Sequence, residues 1–267
     1  MLLTVAYDGR GFAGWAPQRD TRTVAGELQG AIAAVDPRAT RLRALSRTDA
    51  GVHARGQLAA FDTQRDIEPR GWVLALSQHL PTEIGVVRAA LVPTGFDPRD
   101  HVVNKRYRYV AYLSQVADPL LAGRAWRVGY RLDLEAMMRE IRELAGRHDF
   151  AAFRSSADVR TDTVRRILRA EVRRTRRDAQ LLQVTIEGDH FLHNMVRIIV
   201  GTLVDVGRGQ LSPGAFQRAF VSGNRGDLGM TAPPDGLVLE MAKLAVAVGP
   251  AWPSNPPDTD LLGDLEP

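Results

Sequence analysis

Apolar positions follow two rhythms along the chain. LLTVAY at Leu2–Tyr7 is a short apolar run that predicts a strand. TVAGELQGAIAAV at Thr23–Val35 has helical spacing, with Thr23 placed to cap it. Strands are predicted at Leu42–Ser46 and Gln57–Phe61, on either side of the loop RTDAGVHA, and again at Ile84–Val92. Pro69–Leu80 fits a helix that opens on proline and stops before Pro81. The first 92 residues thus read β-α-β-β-α-β.

The second half repeats that order. Arg106–Ser114 alternates as a strand, and Leu132–Gly146 suits a helix. Val164–Arg177 and Leu181–Gly188 form a predicted hairpin joined at Arg177-Asp178. Phe191–Val206 suits a largely buried helix, Pro213–Val221 an extra one, and Leu237–Val246 a last strand. Each half has the order of a split β-α-β, ferredoxin-like unit. The expected class is α+β, with the halves joined edge to edge into one mostly antiparallel sheet. Helices are expected on one face, and a cleft between the halves is the natural ligand site. The expected boundaries are 1–97, 98–249, and a mobile, proline-rich acidic tail at 250–267.

Composition narrows the function classes. The chain has 267 residues, 45% hydrophobic and 25% charged, as ordinary globular proteins do. It has no cysteine, which excludes disulfides, thiolate nucleophiles, iron–sulfur clusters and cysteine zinc sites. The start, MLLTVAYDG, lacks the charged and long apolar regions of a signal peptide, and no apolar run approaches a membrane span. A soluble cytoplasmic protein is therefore expected. All but two of the 35 basic residues are arginine, the exceptions being Lys105 and Lys243. Residues 250–267 hold four acids and no base, so the body is more basic than the net +4. Arginine's planar fork suits phosphate and base stacking, and nucleic acid is one partner class. An arginine-favouring, GC-rich genome is the plain alternative.

Three motifs compete for attention. Gly9-Arg10-Gly11-Phe12-Ala13-Gly14 fits GxGxxG, but the helical pattern begins too far downstream for a dinucleotide fold. His190 and His193 stand three apart without an apparent third metal ligand, so capping or exposure is expected and no metal site is assigned. The clusters Arg165-Arg166 and Arg173–Arg177 lie on the hairpin, as a solvated tip or as phosphate contacts. In Arg47-Thr48-Asp49, a carboxylate precedes the bend Ala50-Gly51, whose small residues admit close approach by a ligand. Taken alone, Asp49 is a candidate and no more.

Read together, the stretches resemble the tRNA pseudouridine synthase A family over nearly all of residues 1–246. Tyr7-Asp8-Gly9, Phe12 and Gly14-Trp15 match the family's opening, and Arg47–Ala54 matches its central RTDAGVHA without a gap. Leu80-Pro81, Phe96 and Lys105-Arg106-Tyr107-Arg108-Tyr109 follow in order. So do His148-Asp149-Phe150 with Phe153, Phe191-Leu192, Met195-Val196-Arg197, Gly201-Thr202-Leu203, Ala232-Pro233 and Gly236-Leu237. Ser46, Ala16 and Ser77 depart from the family's usual glycine, glutamine and asparagine, and none carries an assigned chemical group.

The resemblance implies isomerisation of uridine to pseudouridine at positions 38, 39 and 40, in the anticodon arm of tRNA, without any cofactor. It implies that Asp49 is the nucleophile or base. Arg197, an arginine inside an apolar helix, is its expected counter-charge, since burial alone favours the neutral acid. Tyr107 is expected to stack on the target base, and Arg47 to fill the space the flipped base vacates. Leu237 is an apolar wall, with plain core packing as its alternative. The resemblance also implies a homodimer with tRNA crossing both subunits. His53 is expected to make only a structural hydrogen bond. A non-catalytic RNA-binding module of the same fold is the alternative reading.

Overall fold

The computed structural model describes residues 1–155, 158, 160–175 and 178–254. In chain order the first elements are β1 (Leu2–Tyr7), α1 (Val24–Val35), β2 (Arg43–Ala44), β3 (His53–Ala60), α2 (Pro69–Ser77), β4 (Ile84–Ala90), α3 (Pro98–His101) and β5 (Val102–Leu113). There follow β6 (Trp126–Val128), α4 (Leu134–Arg142), β7 (Gly146–Asp149), β8 (Val164–Arg174), β9 (Leu181–Gly188), α5 (Met195–Gly207), α6 (Ala215–Ser222), β10 (Leu237–Leu244) and β11 (Ala251–Trp252). The class is mixed α+β, and the strand pairing is mostly antiparallel. The pairs β3–β10 and β5–β6 are parallel. Two compact units emerge among the described residues: Met1–Val103 with residues 238–254, and Asn104–Leu237.

In the first unit β1 lies between β3 and β4, with Leu2 opposite Ala60 on one side and Ala90 on the other. Its apolar run suits a strand covered on both faces, and Leu3 and Val5 are fully buried. Thr23 caps α1 through its hydroxyl, which accepts from Gly26 N at 3.2 Å. The helix buries Val24, Leu28, Ala31 and Ile32, one face at helical spacing. Helix α2 buries Trp72 and Leu76, and the Trp72 ring meets Phe61 edge-on at 4.9 Å. It ends at Ser77 rather than Leu80, because the next amides turn back onto Ala75 and Leu76 carbonyls. Strand β3 starts four residues earlier than expected. A side chain at Gly56 would meet Glu240 O at 2.4 Å, so glycine there lets β10 approach.

The tail reading needs correction at its start. Ala251 and Trp252 pair with Ala90 and Ala89 of β4, and Arg88 donates to Pro253 O and Ser254 O. An open strand edge takes up the passing chain. Residues 255–267 lie outside the described residues.

In the second unit β5 pairs with β9 from Lys105↔Gly188 to Tyr112↔Leu181, and β8 joins the far side of β9. Of the expected hairpin turn, Arg176 and Arg177 lie outside the described residues. Helix α4 buries Met137 and Ile141, together with Glu140. The Glu140 carboxylate accepts from Gly214 N and Phe216 N, both at 2.7 Å, and so caps α6 from a neighbouring helix. Helix α5 is almost wholly buried. It begins at Met195, four residues later than expected, because Asn194 sits at φ 62° and breaks the helical run. Among the described residues, no helix is long and apolar enough to cross a membrane.

Candidate active site

The RTDAG loop leaves β2 and enters β3, and its residues take different depths. Arg47 is exposed, Thr48 buried and Asp49 half-buried. Val52 N donates to Asp49 O at 3.1 Å and closes the bend, with Gly51 at φ 79°. At the loop's base, fully buried Gln57 takes Ser46 N through its carbonyl and gives its amide to Ser46 O at 2.7 Å. Tyr7 and Thr48 share a buried hydroxyl bond of 2.8 Å.

The segment 8–15 clamps this loop from the side. Trp15 N donates to Thr48 O at 3.1 Å. A Cβ at Gly14, whose φ is 98°, would lie 2.7 Å from Thr48 O. At Gly9 it would lie 2.1 Å from Val52 O. Gly9 N donates to His53 Nδ1 at 3.2 Å, a structural bond of the kind expected for His53. Asp8 lies 3.4 Å from the same nitrogen. Burial would push the Asp8 carboxyl up, but bonds from Arg10 outweigh it and hold it below its usual range. The glycines that mimic a dinucleotide motif are thus seats for the aspartate loop. Helix α1 has its first amides already taken by Gly14 O and Trp15 O, so it offers no anion site to a cofactor.

Tyr107, Arg197 and Leu237 belong to the second unit, where one short segment bonds to the strand of Tyr107 and the helix of Arg197 and leads into Leu237. Tyr107 on β5 is buried and meets Phe191 edge-on, centroids 5.0 Å apart. Two places along the same face, Tyr109 donates to Pro233 O at 2.8 Å. Burial, then Asp235, raises the Tyr109 hydroxyl far above its usual range, which keeps it a donor. Arg197 on α5 is tethered twice: Nε donates to Ala232 O and Nη1 to Asn194 Oδ1, each at 2.8 Å. The segment 230–236 that receives these bonds lies tight on both elements. A Cβ at Gly201 would lie 1.9 Å from Met230 O, and one at Gly236 would lie 2.2 Å from Val110 O. Leu237 follows directly and is buried. Arg47 and Asp49 share one loop of the first unit.

Sequence reasoning missed the supports of this site. Asn194 orients Arg197, Phe191 braces Tyr107, and Gln57 holds the loop's base. An asparagine just ahead of an apolar helix was the one readable signal among them, since asparagine tolerates the left-handed region. His190 and His193 lend backbone amides to Asp189 and Asp158. Among the described residues, no group of three or more metal-ligating side chains occurs.

A family profile described as tRNA pseudouridine synthase matches residues 141–243. A tRNA pseudouridine synthase A of Geobacter sulfurreducens is 41% identical over 241 residues, covering 90% of this chain and 98% of that protein. One of Halalkalibacterium halodurans is 40% identical, over 88% of this chain and 89% of its own length. The chain belongs to the tRNA pseudouridine synthase A family. A further tRNA pseudouridine synthase A, of Acetivibrio thermocellus, is 38% identical over 89% of this chain and 96% of itself. For this member of the tRNA pseudouridine synthase A family, the opening YDG-x-x-F-x-GW stretch is therefore a packing motif. Its glycines fix where the aspartate loop sits.

Proposed function

We propose that this chain isomerises uridine to pseudouridine at positions 38, 39 and 40, in the anticodon arm of tRNA. The observation that carries the reading is an intact RTDAG loop, clamped on two glycines and presenting Asp49 half-buried. It occurs in a chain that matches its family relatives over nearly their full length. The reaction breaks the bond from N1 of the base to C1′, turns the base, and joins C5 to C1′. The hydrogen at C5 is lost to water at the end.

On this reading Asp49 acts as nucleophile on the nucleotide or as base toward its ribose. An ionised carboxylate in a dry site needs a counter-charge. Arg197 supplies it, and its two tethers support that role by leaving the guanidinium little freedom. Tyr107 receives the base on a ring already braced by Phe191. Arg47, exposed on the aspartate loop, fills the gap in the RNA stack, and Leu237 is an apolar wall. The enzyme works as a cytoplasmic homodimer, which sedimentation at micromolar concentration would test.

The direct test uses unmodified tRNA tritiated at C5 of uridine. Wild type should release tritium from substrates with uridine at 38–40. Asp49→Ala should bind tRNA and release none. Failure of wild type on several such tRNAs would sink the isomerase reading, and an active Asp49→Ala would remove Asp49 from the chemistry.

A further inference from the structure

Three Asp-x-Arg stretches of the chain fold into the same local fork: Asp8 with Arg10, Asp97 with Arg99, and Asp158 with Arg160. In each, the carboxylate also accepts the arginine's own backbone amide. The Asp158 fork differs in two ways. Its carboxylate is only 4% exposed, against 24% for Asp8 and 14% for Asp97. Among the described residues, it alone of the three also accepts a distant backbone amide, His193 N at 3.0 Å. The Arg160 bonds outweigh burial, and with the His193 and Arg160 amides they hold the Asp158 carboxyl far below its usual range. A buried carboxylate so fully satisfied is a fixed point for whatever it grips.

What it grips is the short segment ahead of α5. Ser155 N donates to His193 O at 3.1 Å, so His193 is held at its carbonyl as well as at its amide. Asp158 N donates to Ser155 O at 2.9 Å and ties these two holds together. Arg160 Nη1 reaches Phe191 O at 3.5 Å, the longest of these contacts. Both flanks of His193 serve the site. Phe191 meets the Tyr107 ring edge-on, centroids 5.0 Å apart. Asn194 takes Arg197 Nη1 at 2.8 Å from a backbone at φ 62°. A non-glycine residue keeps that conformation only where its surroundings hold it. A displacement of His193 therefore moves the brace of Tyr107 and the tether of Arg197 together.

We propose that Asp158, locked by Arg160, is a positioning residue of the isomerisation. By gripping His193 it sets Phe191 and Asn194, and through them the Tyr107 ring and the Arg197 guanidinium. The proposal rests on the reading of Tyr107 and Arg197 as site residues. It needs no contact between Asp158 and the RNA, so its loss should slow the chemistry and spare binding.

The test measures tritium release at saturating unmodified tRNA, tRNA affinity and thermal melting. The variants are Asp158→Ala, Asp158→Asn, Arg160→Ala, Asn194→Ala and the double variant Asp158→Ala/Asn194→Ala, with Arg197→Gln as the reference for the site. Asp158→Ala should turn over about 10- to 100-fold more slowly, with tRNA affinity nearly unchanged. Asp158→Asn keeps an acceptor for His193 N and should recover part of that loss. Since Asp158 and Asn194 act on the same guanidinium, the double variant should lose less than the product of the single losses. A purely stabilising Asp158 would lower the melting temperature and leave saturating turnover intact well below it, which would overturn the proposal; so would full multiplication of the two losses. Arg160→Ala alters a half-exposed side chain and carries the same test should Asp158→Ala not fold. A folded Arg160→Ala enzyme with wild-type turnover would count against the lock. Wild-type turnover in Arg197→Gln would remove the site reading itself, whereas an inactive Arg197→Gln beside a fully active Asp158→Ala would overturn this proposal alone.

Discussion

If the two glycines of the opening stretch exist to seat the aspartate loop, filling one should disable catalysis without touching the substrate. Gly9→Ala is the cleaner choice. The new Cβ would lie 2.1 Å from Val52 O, 2.5 Å from Val52 C and 2.9 Å from Gly51 C. All three are backbone atoms, so no side chain can rotate aside. Gly9 is not among the positive-φ glycines, so alanine brings no dihedral strain of its own. The bond from Gly9 N to His53 Nδ1 limits retreat on the other side. The loop must therefore open by roughly 1 Å to restore ordinary contact.

A misplacement of about 1 Å at a catalytic group costs on the order of 10²-fold in rate, or about 2.7 kcal/mol of barrier. Overpacking should also remove roughly 1–3 kcal/mol of stability, which leaves a domain of this size folded. The assay is tritium release under saturating tRNA, with binding and melting measured beside it. Gly85→Ala on β4 is the control, because a Cβ there meets nothing within 4 Å. Gly9→Ala should bind tRNA and turn over about 100-fold more slowly, and Gly85→Ala should match wild type. A folded Gly9→Ala enzyme with wild-type turnover would refute the argument that this contact sets the position of Asp49.

Three further outcomes follow from the packing. Between about pH 8 and 10.5 the unfolded chain holds the Lys105 proton more tightly than the folded one, so wild type should gain about 3 kcal/mol of stability as pH rises through that window. Lys105→Met should lose this gain, and parallel denaturant curves for the two proteins at both ends of the window would contradict it. Asn194→Ala removes the Nη1 tether of Arg197 and places alanine at φ 62°; it should cost roughly 1–2 kcal/mol and lower turnover more than tRNA affinity, as steady-state kinetics and melting would record. Gln57→Leu removes both buried bonds to the Ser46 backbone and should cost about 2 kcal/mol, a loss that urea unfolding measures; an unchanged midpoint would mean that the loop's base is held elsewhere.

What could be read from the sequence, and what could not, divides by the range of the forces. Strand β1 and helix α1 were legible because their causes are local: an apolar run, and a threonine cap ahead of helical spacing. Strand β3 was only half legible, since HARG carries little strand propensity and its pairing depends on Gly56 admitting β10 from far along the chain. The proposed site shows the same division. Asp49, Tyr107 and Arg197 were singled out because each sits in a distinctive stretch, whereas the atoms that hold them come from elsewhere: Gly9 for the loop, Asn194 and Ala232 for the arginine, Phe191 for the tyrosine. Gly9 was even misleading, because close backbone approach is what glycine supplies both to a nucleotide phosphate and to another loop. Only the neighbour distinguishes the two uses. Arg165 failed for the opposite reason: among so many arginines, nothing in its surroundings marks it as inward-facing. Its direction is set by strand register, where a shift of one residue would exchange it with exposed Arg166. Register is a property of the pairing with β7, where Arg165 lies opposite His148, so this buried charge was one that local pattern could not single out.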